Sequence, residues 1–136
     1  MNVHYKRELD GVNWGEMKAT LREDSFDNGR TETQYKLSFE NSFSTCIAYI
    51  DDKIIGTARV LSDGVGNAYA IDVWTLSKHR RKGIATRMME LLIEDLQGQH
   101  LYLQTDNDTL EFYVSLGFNK RPTGMNIVIG DYLKRK

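Results

Sequence analysis

The segment from Lys78 to Leu92, KHRRKGIATRMMELL, constrains the fold of this chain more than any other. From residue 83 to residue 96 the apolar side chains recur every three or four positions, the spacing of one buried helix face. These residues are Ile84, Ala85, Met88, Leu91, Leu92 and Leu96, with Arg87, Glu90 and Glu94 on the other face. The pattern predicts an amphipathic helix over residues 83–96.

The segments on either side of this helix are typical of β-strands. Residues 43–50, 53–61 and 68–75 are β-like runs separated by the turns Asp51-Asp52 and SDGVGN, which favours an antiparallel meander. Residues 101–104, LYLQ, form a further short strand after the helix. The order indicates an α+β fold with a mixed, mostly antiparallel sheet and one strand-helix-strand crossover.

Shorter elements are predicted towards both ends of the chain. Alternation over residues 2–6 indicates a strand, and Asn13 begins a capping pattern for a helix to about Arg22. A second helix is expected over residues 31–40, and a short one over residues 109–116, ended by Gly117. Residues 126–129, NIVI, are predicted to form a closing strand, followed by a basic LKRK tail that should fray.

Composition excludes several classes of protein. The 136 residues suit one domain, with no linker or internal repeat. Eighteen Lys and Arg against nineteen Asp and Glu leave a net charge of −1, which disfavours a nucleic-acid partner. No apolar run approaches the roughly 20 residues that cross a bilayer, and the start MNVHYKRELD lacks the apolar core of a signal peptide. We therefore expect a soluble cytoplasmic protein without a membrane partner.

The cysteine and the histidines show no pattern typical of a reactive thiol or a metal site. Cys46 lies in the apolar run TCIAYI, where a buried structural thiol is the favoured interpretation. His4, His79 and His100 are scattered and show no zinc-ligand spacing. We expect no protein-built metal site.

The start of the central helix lacks a capping side chain. The first N–H groups of a helix have no partner within it, and the helix dipole adds positive charge there. Four cations, Lys78, Arg80, Arg81 and Lys82, precede Gly83. Because cations oppose the dipole, the pattern favours a bound anion that contacts the amides of residues 81–86, although a solvated basic turn remains the alternative.

Common phosphate-binding motifs do not account for this anion. The sequence has no GxxxxGK[ST] loop and no GxGxxG after a strand. Gly64 and Gly66 belong to a hairpin turn and are best interpreted structurally.

Two motifs in order resemble one family. Arg80, Gly83 and Ala85 fit the pattern of Arg or Gln, two residues, Gly, one residue, then Gly or Ala, within DVWTLSKHRRKGIATRMMELL. LYLQTDNDTLEFYVSLGF resembles a second motif, a strand followed by a short helix with FY before GF. Together they resemble the GCN5-related N-acetyltransferases, and the likeness extends over roughly residues 55–125.

The resemblance implies a sheet splayed open at its centre, with about four helices on both faces and acetyl-CoA as co-substrate. The backbone near Val73 and Thr75 would hold the thioester and the pantetheine arm, and the amides of residues 81–86 the pyrophosphate. Asp106 or Asn107 would contact the pantetheine, and Phe112 is either core or a wall for the cofactor. The residues that the resemblance assigns to cofactor binding are Val73, Trp74, Thr75, Arg80, Arg81, Lys82, Gly83, Ile84, Ala85, Thr86, Asp106, Asn107 and Phe112.

Two side chains are candidates for proton transfer in an N-acetyltransferase. An amine with a pKa of about 10 must lose a proton before it attacks, and Asp72 could remove it directly or through water if burial raised the pKa of the carboxyl. The alternative is that Asp72 anchors a neighbouring loop or caps a backbone group. By resemblance, Tyr113 would protonate the departing sulfur; without the resemblance it would be a core aromatic.

The acceptor cannot be identified from the sequence, and we expect a small-molecule primary amine attacked directly in a ternary complex. The surface that binds the acceptor is expected to be formed by DSFDNGRTETQY and RPTGMN. Asp24, Asp27 and Glu32 in the first of these segments could attract a cationic amine. The alternative is that they form a solvated acidic loop. Alternatives are a protein lysine or N-terminal acetyltransferase, a non-catalytic acetyl-CoA sensor, and a nucleic-acid module using KHRRK. The oligomeric state stays open, a homodimer being one option.

Overall fold

A five-stranded mixed sheet forms the centre of the structure, a computed structural model that describes residues 2–130. Its strands, which lie side by side in chain order, are β1 (Val3–Lys6), β2 (Ser44–Ile50), β3 (Lys53–Ser62), β4 (Asn67–Thr75) and β5 (His100–Tyr102). Strands β1 to β4 pair antiparallel, and β4 pairs parallel with β5. The predicted meander and the single crossover are therefore confirmed.

Three helices accompany the sheet. Helix α1 (Trp14–Glu23) is capped by Asn13, whose side chain accepts from the Glu16 amide; α2 (Glu32–Glu40) has a full capping box formed by Thr31 and Gln34. Helix α3 (Ile84–Glu94) connects β4 to β5. These helices lie where the sequence predicted them. No helix within residues 2–130 is long and apolar enough to cross a membrane.

Helices pack on both faces of the sheet. Gly56 of β3 lies against Met88 of α3, whereas the Arg59 guanidinium, three residues further on, reaches the Ser38 carbonyl of α2. Residues an odd number apart in a strand point to opposite faces, so α3 and α2 cover different sides. The α+β fold class is confirmed.

The sheet is irregular at β4, in two ways. The β3–β4 register shifts between Thr57 and Arg59, and Asp72 has a φ of +55°, a left-handed conformation that is uncommon for a non-glycine residue. On the other side, β4 pairs with β5 only over residues 67–69. Among the described residues, 70–75 of β4 therefore have no strand partner on that side, which agrees with the opening expected at the sheet centre.

The chain divides after Leu103 into two compact units, and the second begins at Gln104. The second unit contains a 3-10 turn (Asn107–Thr109) and helix α4 (Leu110–Ser115), followed by Gly117 with a φ of +103°. Whether the two units act as the single domain predicted from chain length stays a prediction.

One predicted element is wrong. Residues 126–129 form no strand and find no ladder partner within the described residues, which end at Gly130. Met125, Ile127 and Ile129 are more than four-fifths exposed as a result. An alternating apolar pattern forms a strand only where a sheet edge accepts its backbone hydrogen bonds. The LKRK tail lies outside the described residues.

Cys46 occupies the core of β2 and is fully buried. Burial raises the pKa of its thiol to about 11, which keeps the sulfur protonated and unreactive at neutral pH. The structure therefore agrees with a packing role.

Gly56 tests the packing of α3 on the sheet. A Cβ there would lie 3.1 Å from Met88 Cε and 3.1 Å from the Trp74 carbonyl oxygen. Since a backbone oxygen has little freedom to move, Gly56→Ala should lower the free energy of unfolding by about 1–3 kcal/mol. Denaturant unfolding monitored by circular dichroism measures the change.

Gly66→Ala is the matched control, because a Cβ at Gly66 meets nothing within 4 Å and both variants lose the same unfolded-state entropy. Equal unfolding midpoints for the two variants would contradict the close approach of α3 to β3.

Candidate active site

The N-terminus of α3 has no side-chain cap. The N-cap residue is Gly83 at φ +80° and ψ 9°, and Arg81 is also left-handed at φ +64°. The Arg87 amide donates to the Gly83 carbonyl at 3.0 Å, the first bond of the helix ladder. The amides of residues 84–86 therefore have no partner within the helix, as the sequence predicted.

The space around this helix start is accessible. A Cβ on Gly83 would meet nothing within 4 Å, and Arg81, Lys82 and Gly83 are exposed. Successive amides with left-handed residues among them form a concavity of the kind that binds phosphate oxygens. The side chain of Ile84 is buried in the core, so this residue could offer a ligand only its amide.

The Arg80 side chain is more than half exposed, but its guanidinium bonds back onto the protein. Its Nε donates to the Thr75 carbonyl at 3.0 Å, and its terminal nitrogen lies 3.5 Å from Oδ2 of Asp24. That same carboxylate oxygen accepts from the Trp74 indole and the Ser77 amide, both at 2.9 Å. Asp24 thus ties the end of α1 to the segment that leads from β4 into the helix start.

The side chains at the end of β4 are turned into the protein. Trp74 is buried and stacks on Phe26 at a centroid distance of 6.4 Å. Thr75 is also buried, and its hydroxyl has no hydrogen-bond partner within residues 2–130. Val73 is half-buried. Any ligand along residues 73–75 would therefore meet mainly backbone, at the strand edge that lacks a partner.

Asp72 holds two arginines at the irregular position of β4. Arg30 donates to both carboxylate oxygens, at 2.8 and 3.0 Å, and Arg59 Nε donates to Oδ2 at 2.8 Å. Burial by itself would raise the pKa of this carboxyl, but the hydrogen bonds and charges of the two guanidiniums outweigh it and hold the pKa below its usual value. The expected net rise of the pKa of Asp72 is therefore wrong. The role of Asp72 as a base stays a prediction.

Two of the three acidic residues expected to attract a cationic amine serve the fold instead. Asp27 accepts from Lys18 Nζ at 3.1 and 2.9 Å and from the Tyr35 hydroxyl at 2.8 Å. Asp24 makes the contacts described above, whereas Glu32 is exposed. Sequence inspection missed these internal roles because each partner lies on another element.

Tyr113 belongs to the second unit and is buried. Burial raises the pKa of its hydroxyl to about 12. Its ring makes edge-to-face contacts with Phe112 at 4.9 Å and with Phe118 at 5.7 Å. Asp106 and Asn107 are exposed before α4. The side chains assigned from the second motif thus lie within one short segment.

A cavity of about 310 Å³ lies elsewhere in the first unit. Its lining includes Arg7, Phe43 and Asp95, and none of the predicted site residues. Cavity size therefore does not identify the candidate site, which is an open surface formed by backbone.

The family is established by comparison with known proteins. Residues 12–118 match the model of the acetyltransferase (GNAT) family, so the chain belongs to that family of acyltransferases, as the two motifs predicted. The chain is 28% identical over 112 residues to GCN5-related N-acetyltransferase 2, chloroplastic, of Arabidopsis thaliana. That match covers 80% of this chain and 38% of that protein, so the chain spans well under half of its relative's length.

Solved structures share the fold at lower identity. A GNAT-family acetyltransferase of Streptococcus pneumoniae TIGR4 has a TM-score of 0.79 at 20% identity, with 93% of this chain and 98% of that chain covered. Glucosamine-6-phosphate N-acetyltransferase of Arabidopsis thaliana has a TM-score of 0.75 at 15% identity, with 96% and 100% covered. Both confirm the fold.

The ion pairs of Asp72 predict a specific pH dependence of stability. Because the folded-state pKa lies below the unfolded value of about 3.9, the stabilisation is present above that pH and is lost as the pH falls through the folded pKa. Asp72→Asn should cost roughly 3 kcal/mol at pH 7, and the difference from the wild type should shrink towards pH 3. Thermal unfolding at several pH values measures this.

Asp52→Asn, in the exposed β2–β3 turn, is the control and should change little at any pH. A stability difference for Asp72→Asn that stays constant from pH 7 to pH 3 would contradict the ion-pair account.

Proposed function

We propose that this chain transfers the acetyl group of acetyl-CoA to the primary amine of a small-molecule acceptor, by direct attack in a ternary complex. The observation that carries the proposal is the uncapped start of α3, which residues 76–82 connect to the part of β4 that has no strand partner towards β5. The uncapped helix start suits the pyrophosphate of CoA. The strand edge without a partner suits the extended, amide-containing arm of CoA, because both can form backbone hydrogen bonds.

In this proposal acetyl-CoA is bound largely by main-chain groups. The amides of residues 81–86 contact the pyrophosphate, and Arg81 and Lys82 add charge. The backbone of Val73 and Thr75 pairs with the pantetheine arm, as in the family. By the same family pattern Asp106 or Asn107 contacts the pantetheine, and Phe112 forms an apolar wall. Acetyl-CoA supplies the activated thioester carbonyl.

The acceptor must lose a proton before its nitrogen attacks that carbonyl carbon. A water molecule or Asp72 would take the proton, the two routes that the sequence left open. Because both oxygens of Asp72 accept hydrogen bonds from guanidiniums and the pKa of the carboxyl is lowered, the ion pairs favour water. The amide of Val73 would stabilise the charge that develops on the carbonyl oxygen.

The departing sulfur needs a proton as the carbon–sulfur bond breaks. A thiol has a pKa of about 8.5, so a thiolate is a tolerable leaving group that a nearby donor improves. Tyr113 is the proposed donor. Its raised pKa, about 12, keeps the hydroxyl protonated at neutral pH.

A small-molecule acceptor is favoured over a protein lysine by the size of the candidate surface. The loop expected to meet the acceptor, residues 24–31 between α1 and α2, is short and is bonded to its surroundings through Asp24, Asp27 and Arg30. The name of one fold neighbour states a small amino sugar phosphate as its substrate, which fits this size class.

Calorimetric titration with acetyl-CoA, followed by a free-thiol assay against primary amines, tests the function. The wild type should bind acetyl-CoA and release thiol only when an acceptor amine is present. Gly83→Glu should lose binding by at least about 100-fold, because it places a carboxylate at the proposed pyrophosphate site. Gly66→Ala should bind normally.

Each other outcome has a distinct meaning. Binding without thiol release from any amine would favour a non-catalytic acetyl-CoA sensor, and release with lysine peptides alone would favour a protein acetyltransferase. Unchanged affinity in Gly83→Glu would refute the phosphate site at the helix start.

Tyr113→Phe separates proton donation from binding. We expect kcat to fall by about 100-fold while acetyl-CoA affinity changes little, since only the departing sulfur needs the hydroxyl. Steady-state thiol release and calorimetry measure the two quantities. Tyr102→Phe, a half-exposed tyrosine of β5, is the matched control. An unchanged kcat in Tyr113→Phe would remove this residue from the mechanism.

A further inference from the structure

We propose that Arg30 is a positioning residue for the acceptor: it fastens the α1–α2 loop (residues 24–31) to Asp72 and thereby sets the place of the amine relative to the Val73 amide. The inference rests on the proposed function for its chemistry. The contacts between Arg30 and Asp72 that support it lie within the first unit.

The contact between Arg30 and Asp72 is well defined. The two terminal nitrogens of Arg30 donate to the two oxygens of Asp72 at 2.8 and 3.0 Å, an arrangement that fixes distance and orientation together. The Arg30 side chain is 14% exposed and that of Asp72 10%. The guanidinium also lies over the Tyr35 ring, with its central carbon 4.3 Å from the ring centroid.

The loop depends on such contacts for its conformation. Ser25, Asn28 and Gly29 have φ values of +57°, +59° and +74°, so backbone preference alone does not select this shape. Asp27 holds the middle of the loop through Lys18 and Tyr35. Arg30 fastens the end of the loop to Asp72 of β4, whereas Asp24 and Phe26, at its start, contact Trp74 of the same strand.

Asp72 remains supported when Arg30 is altered. Arg59 donates to its Oδ2 at 2.8 Å, and the Thr57 hydroxyl donates to its carbonyl at 2.8 Å. Two guanidiniums share one carboxylate, so loss of the Arg30 charge leaves a balanced Arg59–Asp72 pair. A substitution at Arg30 should therefore loosen the end of the loop and leave β4 and the helix start unchanged.

This geometry links the loop to the chemistry. Asp72 directly precedes Val73, whose amide is proposed to meet the thioester oxygen. A loop fixed to Asp72 keeps the acceptor amine at a constant distance from the thioester carbon, and a small displacement of a bound reactant is costly to the rate. Acetyl-CoA touches other residues, so its affinity should not depend on Arg30.

The test compares Arg30→Lys and Arg30→Gln with Arg7→Lys, a matched control whose side chain bonds Thr45, Ser44 and Asp95, outside the loop. Each full-length variant is assayed for thiol release with spermidine, glucosamine, L-lysine and a lysine-containing peptide. Acetyl-CoA affinity is measured by calorimetry, and amide hydrogen exchange is followed in residues 24–31.

Arg30→Gln should raise the KM for the best amine or lower kcat/KM by at least about tenfold, with acetyl-CoA affinity changed by less than about twofold. Arg30→Lys should retain part of the activity, because it keeps the charge and loses the two-point contact. Exchange in residues 24–31, chiefly next to Arg30, should accelerate in both variants and stay unchanged in Arg7→Lys.

Unchanged kinetics for the amine in Arg30→Gln would overturn the positioning role, as would a parallel loss of acetyl-CoA affinity, which indicates general structural damage. If the wild type transfers acetyl to none of the amines while Arg30→Gln accelerates loop exchange, the proposed function fails and the anchoring of the loop by Arg30 stands. Unchanged exchange would overturn the anchoring itself.

Discussion

The carboxylate of Asp72, shared by two arginines, is the interaction on which the proposed site depends. It lies where β4 departs from regular geometry, at a left-handed φ of +55° that costs free energy in a residue with a Cβ. Arg30 belongs to the α1–α2 loop, and Arg59 belongs to the neighbouring strand β3. The irregular strand, the loop and residue 73, which we propose to meet the thioester, are thereby held by one buried charge cluster.

The same arrangement has a chemical consequence. A carboxylate that already accepts hydrogen bonds from guanidiniums is a poor proton acceptor, since both partners stabilise its charged form. The features that make Asp72 a good anchor therefore make it a weak base. In the proposed mechanism water would take the proton of the amine, and the Asp72 cluster would keep the α1–α2 loop in place.

The start of α3 likewise lacks an interaction that would stabilise the fold, at the place where we propose that the pyrophosphate binds. A Ser, Thr, Asp or Asn at position 83 would cap the helix, and a cap is worth about 1 kcal/mol. Gly83 leaves the first amides of the helix without a side-chain partner. Four cations precede these amides in the sequence. Asp24 compensates by fastening the preceding segment to the end of α1, through the Trp74 indole and the Ser77 amide.

Local patterns in the sequence determined the helices, the three-stranded meander of β2 to β4, the crossover and the uncapped helix start, because periodicity and capping act over a few residues. Tertiary structure alone decided the partners of Asp72 and Asp24, which lie 42 and 50 residues away from Arg30 and Trp74 respectively. It also decided that residues 126–129 form no strand, because their strand-like pattern has no sheet edge to join within the described residues. An ion pair or a strand exists only when the fold brings its second half into reach, and no local pattern encodes that.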